Sequence, residues 1–460
     1  LTRLMLRQVE EKTHGKILQG SSSLTFHKFN IDSRFTEPGE LFFALIAKRN
    51  GHDFVPHAIE KGAAGAVISQ PIFSPDKNFA IIQVNDTLKA LQELAKKVLL
   101  EHKVHVVGIT GSIGKTTTKE FTSSLLSRNF KVLKSEGNFN NHIGLPLSLL
   151  KLTKKHEVAV LEMGLSAPGE ISTLTQIAPP DIAVITNVYP VHLQFFCSIE
   201  EIASAKKEIL EGIKKQGTAV LNGDDPLVKK IAKDWKGKKL FFGLSKENHI
   251  RAQNIQKTGM KGISFELVYG KKQKKINIPF LYLSHLYNFL AAAAVASAFS
   301  VSLEDIHLLT KTLKPLSMRG TLSRLKNKII LIDDTYNSNP AALELALKGL
   351  AGLPSKRKVA VLGDMLELGE KEIDYHIQAG KQVSTWGWDI LITIGPLSQH
   401  MVEGAISSGK KRDQIFSFED SEEAAENIWS LLEEGDLVLV KGSRGMKTEK
   451  IIERLKQKGS

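Results

Sequence analysis

The sequence predicts an α/β protein of three domains: a small α/β unit over residues 1–103, a central unit with a mostly parallel sheet over 104–315, and a doubly wound unit over 316–460. Three observations carry that expectation. At 460 residues the chain exceeds one ordinary core of roughly 100 to 200 residues. Short apolar runs recur between helix-forming stretches, the pattern of parallel strands covered on both faces. The last group of such runs begins after a stretch punctuated by lysine and proline, KTLKPLSMRG.

In the first block, LFFALIA (41–47), AAGAVIS (63–69) and FAIIQV (79–84) read as strands, with helices near 56–61 and 87–100. The N-terminal LTRLMLRQVEEKTHG mixes acids and bases without the apolar core of a signal peptide, so it is read as part of the fold. The central block opens with VHVVGI and repeats one theme, a buried strand with a polar residue at its C-terminal end: EVAVLEMG gives Glu162, DIAVITNV gives Asn187 with His192 soon after, and GTAVLNGDD gives Asn222, Asp224 and Asp225. In parallel sheets ligands lie beyond these strand ends, so the polar residues should share a crevice. GISFELVYGKKQKKINIPF alternates and turns at Gly270, a lysine-tipped hairpin, and FLAAAAVASAF reads as a buried helix. In the last block NKIILIDD, RKVAVLGDM, WDILITIG and DLVLVKGSR supply four strands, and Asn339-Pro340 should start the helix that follows the first of them.

Composition excludes several classes. No apolar run approaches the roughly 18 residues needed to span a bilayer, so a soluble, cytoplasmic chain without membrane insertion is expected. A single cysteine, Cys197, rules out an intramolecular disulfide framework and is read as half-buried. The +13 formal charge is spread in short lysine pairs without a basic arm, so nucleic acid is not the expected partner; two polyanionic small molecules are compatible with it.

TGSIGKTTTKE (110–120) carries the chemistry. A loop leaving a buried strand for a helix presents backbone N–H groups where the helix dipole also favours an anion. Gly111 and Gly114 let the backbone approach phosphate oxygens, Lys115 reaches the terminal phosphates, and the Thr116 hydroxyl suits magnesium. The strict GxxxxGK[ST] pattern is not met, since Ile109 stands at its first glycine, so the unit is P-loop-type. Glu162, at a strand end beside the loop, is placed to hold the metal.

The form TGSxGKTTT resembles the Mur ligases, ATP-dependent amide-forming enzymes of peptidoglycan precursor synthesis. SEGNFNNHIGLPLSLL, EMGLSAPGEI, ITNVYPVHLQFF, SIEEIASAKKEIL, LNGDD, MRG, DDTYNSNP, VLGDMLELG and LVKGSR follow in the family's order, and IDSR, PGELFFAL and GHDFVPHAIEKGAAGAVIS match its uridine-diphosphate end. The motifs look like the branch that joins D-alanyl-D-alanine to UDP-N-acetylmuramoyl-tripeptide. The resemblance implies a three-domain fold with a Rossmann-like C-terminal domain receiving the dipeptide, ATP bound by residues 110–117 (Thr110, Gly111, Ser112, Ile113, Gly114, Lys115, Thr116 and Thr117) with Asn288, Arg319 and Asp334, and a monomer. It implies two magnesium ions held by Thr116, Glu162, His192 and Lys206, the last as a carbamate formed from carbon dioxide, with Lys115, Glu162, His192 and Lys206 catalytic. It also implies substrate contacts from Ser33 and Arg34 to the uridine nucleotide, from Asn138, Asn140, Asn141 and His142 to the muramoyl-peptide, from Tyr336, Asn337 and Asn339 in the closing cleft, and from Lys441, Ser443 and Arg444 to the incoming dipeptide. Ser284-His285-Leu286-Tyr287-Asn288 departs from the family's HNxxN. A Mur-type ligase adding the preceding amino acid, a P-loop nucleotide switch and a non-catalytic UDP-sugar binder are the alternatives.

Overall fold

Each block of apolar runs builds its own sheet in the computed structural model, which describes residues 3–459 apart from 73, 75 and 192. The first block contributes β1 (Leu4–Met5), β2 (Lys16–Gln19), β3 (Thr25–Phe26), β4 (Phe29–Asn30), β5 (Leu41–Phe43), β6 (Gly65–Ile68) and β7 (Ala80–Gln83). β1 pairs with β3, and the others form a sheet ordered β2-β7-β6-β5-β4. Helices Val55–Glu60 and Thr87–His102 fall where the sequence places them.

The central sheet has nine strands: β8 (His105–Thr110), β9 (Val132–Lys134), β10 (Val158–Glu162), β11 (Ile182–Ile185), β12 (Thr218–Asn222), β13 (Lys238–Gly243), β14 (Ile250–Lys257), β15 (Ile263–Tyr269) and β16 (Lys272–Ile278). Their order is β16-β15-β14-β13-β12-β11-β8-β10-β9. β9 and β10 lie on one side of β8 and β11 to β13 on the other, so strand order reverses at β8 and the loop after it opens over the crevice. The expected hairpin is present as antiparallel β15 and β16, turning at Gly270 with φ +63°. It is no separate appendage, because β14 joins it to the parallel strands. Helix Leu283–Ala298 packs against helix Lys115–Leu126, and the small side chains of Ala291 to Ala294 allow close approach with all four fully buried.

The last sheet contains β17 (Thr321–Arg324), β18 (Ile330–Asp333), β19 (Arg357–Gly363), β20 (Ile390–Ile394), β21 (Ile415–Phe418) and β22 (Asp436–Lys441), ordered β17-β18-β22-β19-β20-β21 and parallel except for β17. Helix Pro340–Ala351 starts as expected: Asn339 Oδ1 accepts the N–H of Ala342 at 2.9 Å.

One apolar cluster runs from Leu4 and Phe26 through Leu91 and Leu94 of helix Thr87–His102 to Leu145, Leu161 and Ile209. Residue 103 therefore ends a helix rather than a core. The third sheet buries its own clusters, and one of them takes in Leu281 and Tyr282 from the chain ahead of helix Leu283–Ala298. The Tyr282 ring sits between two glycines: a Cβ at Gly320 would lie 2.5 Å from its Cε2 and one at Gly349 3.1 Å from its Cδ1.

Cys197 corrects the sequence reading, being exposed rather than half-buried. It directly precedes the N-cap Ser198 of helix Ile199–Glu211, and its N–H donates to Glu201 Oε2 at 2.8 Å, which places it outside the packed turn. Among the described residues no helix is long and apolar enough to cross a membrane.

Candidate active site

The phosphate loop is built by glycines that no other residue could replace without movement. Gly111 has φ +149°, and a Cβ there would lie 1.9 Å from Thr186 Oγ1; Gly114 has φ +83°, and a Cβ there would lie 2.2 Å from Asn288 Oδ1. The neighbouring strand end clamps the loop. Asn187 accepts the Ile113 N–H at its Oδ1 (2.9 Å) and donates from Nδ2 to the Ile113 carbonyl (3.0 Å), while Thr186 donates to the same carbonyl at 2.8 Å. Ser112 Oγ donates to the Tyr189 carbonyl and accepts its N–H, both at 2.9 Å. Asn187, legible in the sequence as a polar strand end, thus shapes the loop.

Lys115 folds back over the loop, donating to the Gly111 carbonyl at 2.8 Å. Burial, with Arg319 nearby, lowers its pKa against the opposing pull of Glu162. Thr116 Oγ1 donates to Glu162 Oε2 at 2.8 Å, and Asn140 Nδ2 donates to Glu162 Oε1 at 3.0 Å. Arg319 reaches across from the segment before β17: its Nη2 donates to Thr116 Oγ1 at 3.0 Å, and its guanidinium lies 3.8 Å over the Tyr336 ring. A cavity of about 260 Å³ lies between the central and last sheets, lined by Ser112 to Thr117, Asn140, Glu162, Asn288, Arg319, Asp334, Tyr336, Asn337, Asn339 and Lys441. Asn288 also lines an adjoining cavity of about 470 Å³ with Asn187, Tyr189, Asn222, Asp224 and Tyr287. The strand-end residues therefore do share a crevice with the loop.

Residues 109–296 match the Mur ligase middle domain and residues 318–444 the Mur ligase glutamate ligase domain. The UDP-N-acetylmuramoyl-tripeptide--D-alanyl-D-alanine ligase of Bacillus subtilis (strain 168) is 36% identical over 453 residues, 98% of each chain. The chain belongs to the Mur ligase family. Among solved structures, MurF from Acinetobacter baumannii superimposes with a TM-score of 0.90 at 29% identity, covering 99% of both chains. MurF from Thermotoga maritima in complex with ADP gives 0.82 at 31% identity, covering 94% of this chain and 97% of that one.

Other site residues expected of this Mur ligase are placed less directly. Lys206 does not line the cavity; it is 1% exposed, and burial with the Lys115 charge nearby holds its pKa well below the usual lysine range. His192 lies outside the described residues. Asp334 and Lys441 are paired with each other at 2.7 Å, and Lys441 also donates to the Asn337 carbonyl at 2.9 Å. Burial raises the Asp334 pKa against that pull.

Ser33 is buried with Oγ 3.0 Å from His57 Nδ1, and Arg34 turns back on Asp32 at 2.6 Å. Their neighbours Asp32 and Phe35 line a third cavity, about 690 Å³, facing Glu136, Phe139 and Leu147. Asn141 Oδ1 accepts the Gly144 N–H at 2.8 Å, the His142 carbonyl accepts from Gln92, and Asn138 and His142 line none of the three cavities. Ser443 is buried between the Leu366 N–H and the Ser338 carbonyl, and Arg444 pairs with Glu449; neither lines the nucleotide-loop cavity.

Two cavity residues, Tyr282 and His285, went unassigned in the sequence, because only folding places them against the Asp334 side. His285 lines the cavity with Nδ1 buried and unpartnered among the described residues, and burial beside Arg319 and Lys441 lowers its pKa to about 3. This value lies below the ordinary 6.5, so the unfolded chain takes up the proton first and the imidazole weakens the fold as pH drops from 6.5 toward 3. A His285→Asn chain should therefore escape a loss of ~1.4 kcal/mol per pH unit below 6.5. Urea unfolding of both chains at neutral and mildly acidic pH measures the difference; parallel pH dependence would count against a neutral buried imidazole.

Proposed function

We propose that the chain joins the amino group of D-alanyl-D-alanine to the free carboxylate of UDP-N-acetylmuramoyl-tripeptide, using ATP and releasing ADP and phosphate. The observation that carries this reading is the meeting of Lys115 of the loop and Arg319 from the far side of the cleft over the Thr116–Glu162 pair. Full-length identity with ligases named for this reaction supports it. A carboxylate cannot expel oxide, so the acid first takes the γ-phosphoryl group; the amine then attacks the acyl phosphate and phosphate leaves. The barrier to the first step is the approach of two anions, which cations aimed at the transferring oxygens lower. Lys115 and Arg319 supply two of them, and loop N–H groups at the helix start hold the remaining phosphate oxygens.

Thr116 and Glu162 present oxygen ligands 2.8 Å apart. That pair fits magnesium, which takes one or two carboxylates and leaves its other positions to phosphate and water, so the lack of a three-residue His/Cys/Asp/Glu cluster among the described residues is no obstacle. Bound there, the ion would neutralise phosphate charge. A second ion is assigned to His192 and Lys206 on the family resemblance. A buried amine held below the lysine range is nucleophilic toward carbon dioxide, and the carbamate that forms, with loss of one proton, would turn a buried cation into an anionic oxygen ligand.

Asn288 is assigned to the adenine side, Asp334 to the ribose and Tyr336, Asn337 and Asn339 to the closing cleft. Ser33, Arg34, Asn138, Asn140, Asn141 and His142 are assigned to the UDP-sugar and its peptide, and Lys441, Ser443 and Arg444 to the dipeptide. The enzyme acts as a monomer in the cytoplasm, where ATP and nucleotide sugars are at hand. Coupled ADP release decides the matter: turnover should require both the UDP-tripeptide and D-alanyl-D-alanine. ATP hydrolysis unchanged when either is omitted would favour a nucleotide switch.

A further inference from the structure

Lys119 has no part in the reaction proposed above, yet it is a lysine only 1% exposed, one turn beyond Thr116 on the helix that leaves the phosphate loop. Its Nζ donates to the Ser135 carbonyl at 2.6 Å and lies 3.3 Å from Glu120 Oε1. Ser135, itself fully buried, follows β9 and donates its N–H to the Val160 carbonyl at 3.1 Å. Its hydroxyl accepts the N–H of Glu162 at 3.2 Å.

Residues three apart on a helix share a face, so Thr116 and Lys119 act on Glu162 from the same side. Thr116 takes the carboxylate directly, and Lys119 takes the main chain through Ser135. The circuit closes through the loop beyond Ser135: Asn140 donates to the other Glu162 oxygen at 3.0 Å, and its carbonyl accepts the Gly164 N–H at 2.8 Å. An ammonium is costly to bury, and an apolar side chain of similar length would fill the same space more cheaply. What a methionine could not do is hold the Ser135 carbonyl, and with it the hydroxyl that orients Glu162.

We infer that Lys119 is a positioning residue: through Ser135 it fixes Glu162 as a cation ligand and ties the 135–142 segment to the nucleotide loop. The inference rests on the proposed role of Glu162. Outer partners that orient a metal ligand are typically worth about 10- to 100-fold in metal affinity.

The test is the affinity of the full chain for a non-hydrolysable ATP analogue, measured calorimetrically in EDTA and in saturating magnesium, for wild type, Lys119→Met and Ser135→Ala, with the thermal midpoint of each. Both variants should bind the analogue in EDTA as wild type does, keep a cooperative transition near the wild-type midpoint, and lose about tenfold of the gain that magnesium brings. A Lys119→Met chain with the full magnesium-dependent gain overturns the inference and leaves the proposed reaction standing. A wild type indifferent to magnesium overturns both. If Lys119→Met does not fold, Ser135→Ala decides alone, since it keeps the ammonium and its carbonyl partner; a full gain there overturns the inference.

Discussion

An Arg319→Ala chain is expected to keep most of its ADP affinity and to lose about three orders of magnitude in turnover. Arg319 belongs to the segment leading into the last sheet, yet it bonds to Thr116 in the first turn of the loop helix. Stacking 3.8 Å over Tyr336 orients the guanidinium plane, so it presents a fixed fork rather than a mobile charge. In the proposed reaction that fork faces the phosphoryl group in transit, where charge changes most, and contributes little to a diphosphate that has already lost the group. Lysine at 319 should not restore the rate, because an ammonium neither stacks as a plane nor bridges two oxygens. Steady-state turnover beside ADP titration checks this. A loss confined to ADP affinity would remove Arg319 from the chemistry.

Lys206→Ala should be nearly as damaging, lowering turnover by about 10²- to 10³-fold. The wild-type ammonium would sit buried and close to the Lys115 charge. Loss of an unmodified ammonium from that position should relieve repulsion and do little harm, whereas loss of a carbamate removes an anion. Formate, acetate or propionate should then restore part of the activity to the variant and none to wild type, and ¹³C-labelled bicarbonate should give a carbamate signal only in wild type. Normal turnover in the variant would overturn the assignment.

Much of this architecture can be read from residue patterns because the strands that matter most are buried on both faces. VHVVGI, EVAVLE and DIAVIT became β8, β10 and β11, since a continuous apolar run has no other stable place. β9, β14, β17 and β21 were not legible: three of them are only three or four residues long, and β14, IRAQNIQK, is mostly polar with a register shift. The phosphate loop was legible because its chemistry is local, with glycine, lysine and threonine adjacent in the chain. Ser33 and Ser443 show the converse. Their hydroxyls suit ligand contact, but each also meets a scaffold partner, 24 and 77 residues away, which is too far in sequence to be seen. Lys119, Tyr282 and His285 were missed for a related reason: a lysine in a polar helix or an aromatic ahead of an alanine-rich one looks ordinary until a neighbouring sheet closes over it.

The apolar cluster that runs unbroken from Leu4 to Ala232 bears on how the chain can be cut or recombined. A fragment ending at residue 103 would uncover the face of helix Thr87–His102 that packs on helices Gly144–Leu149 and Glu170–Ile177, so it should aggregate when expressed alone. A chimera that exchanges those residues with a distant relative would have to refit both sides of the same packing. The last sheet meets the rest across a cleft, with Leu281 and Tyr282 packed into its own apolar cluster and the Gln194 N–H on the Glu367 carbonyl, and there a join could be moved with less loss.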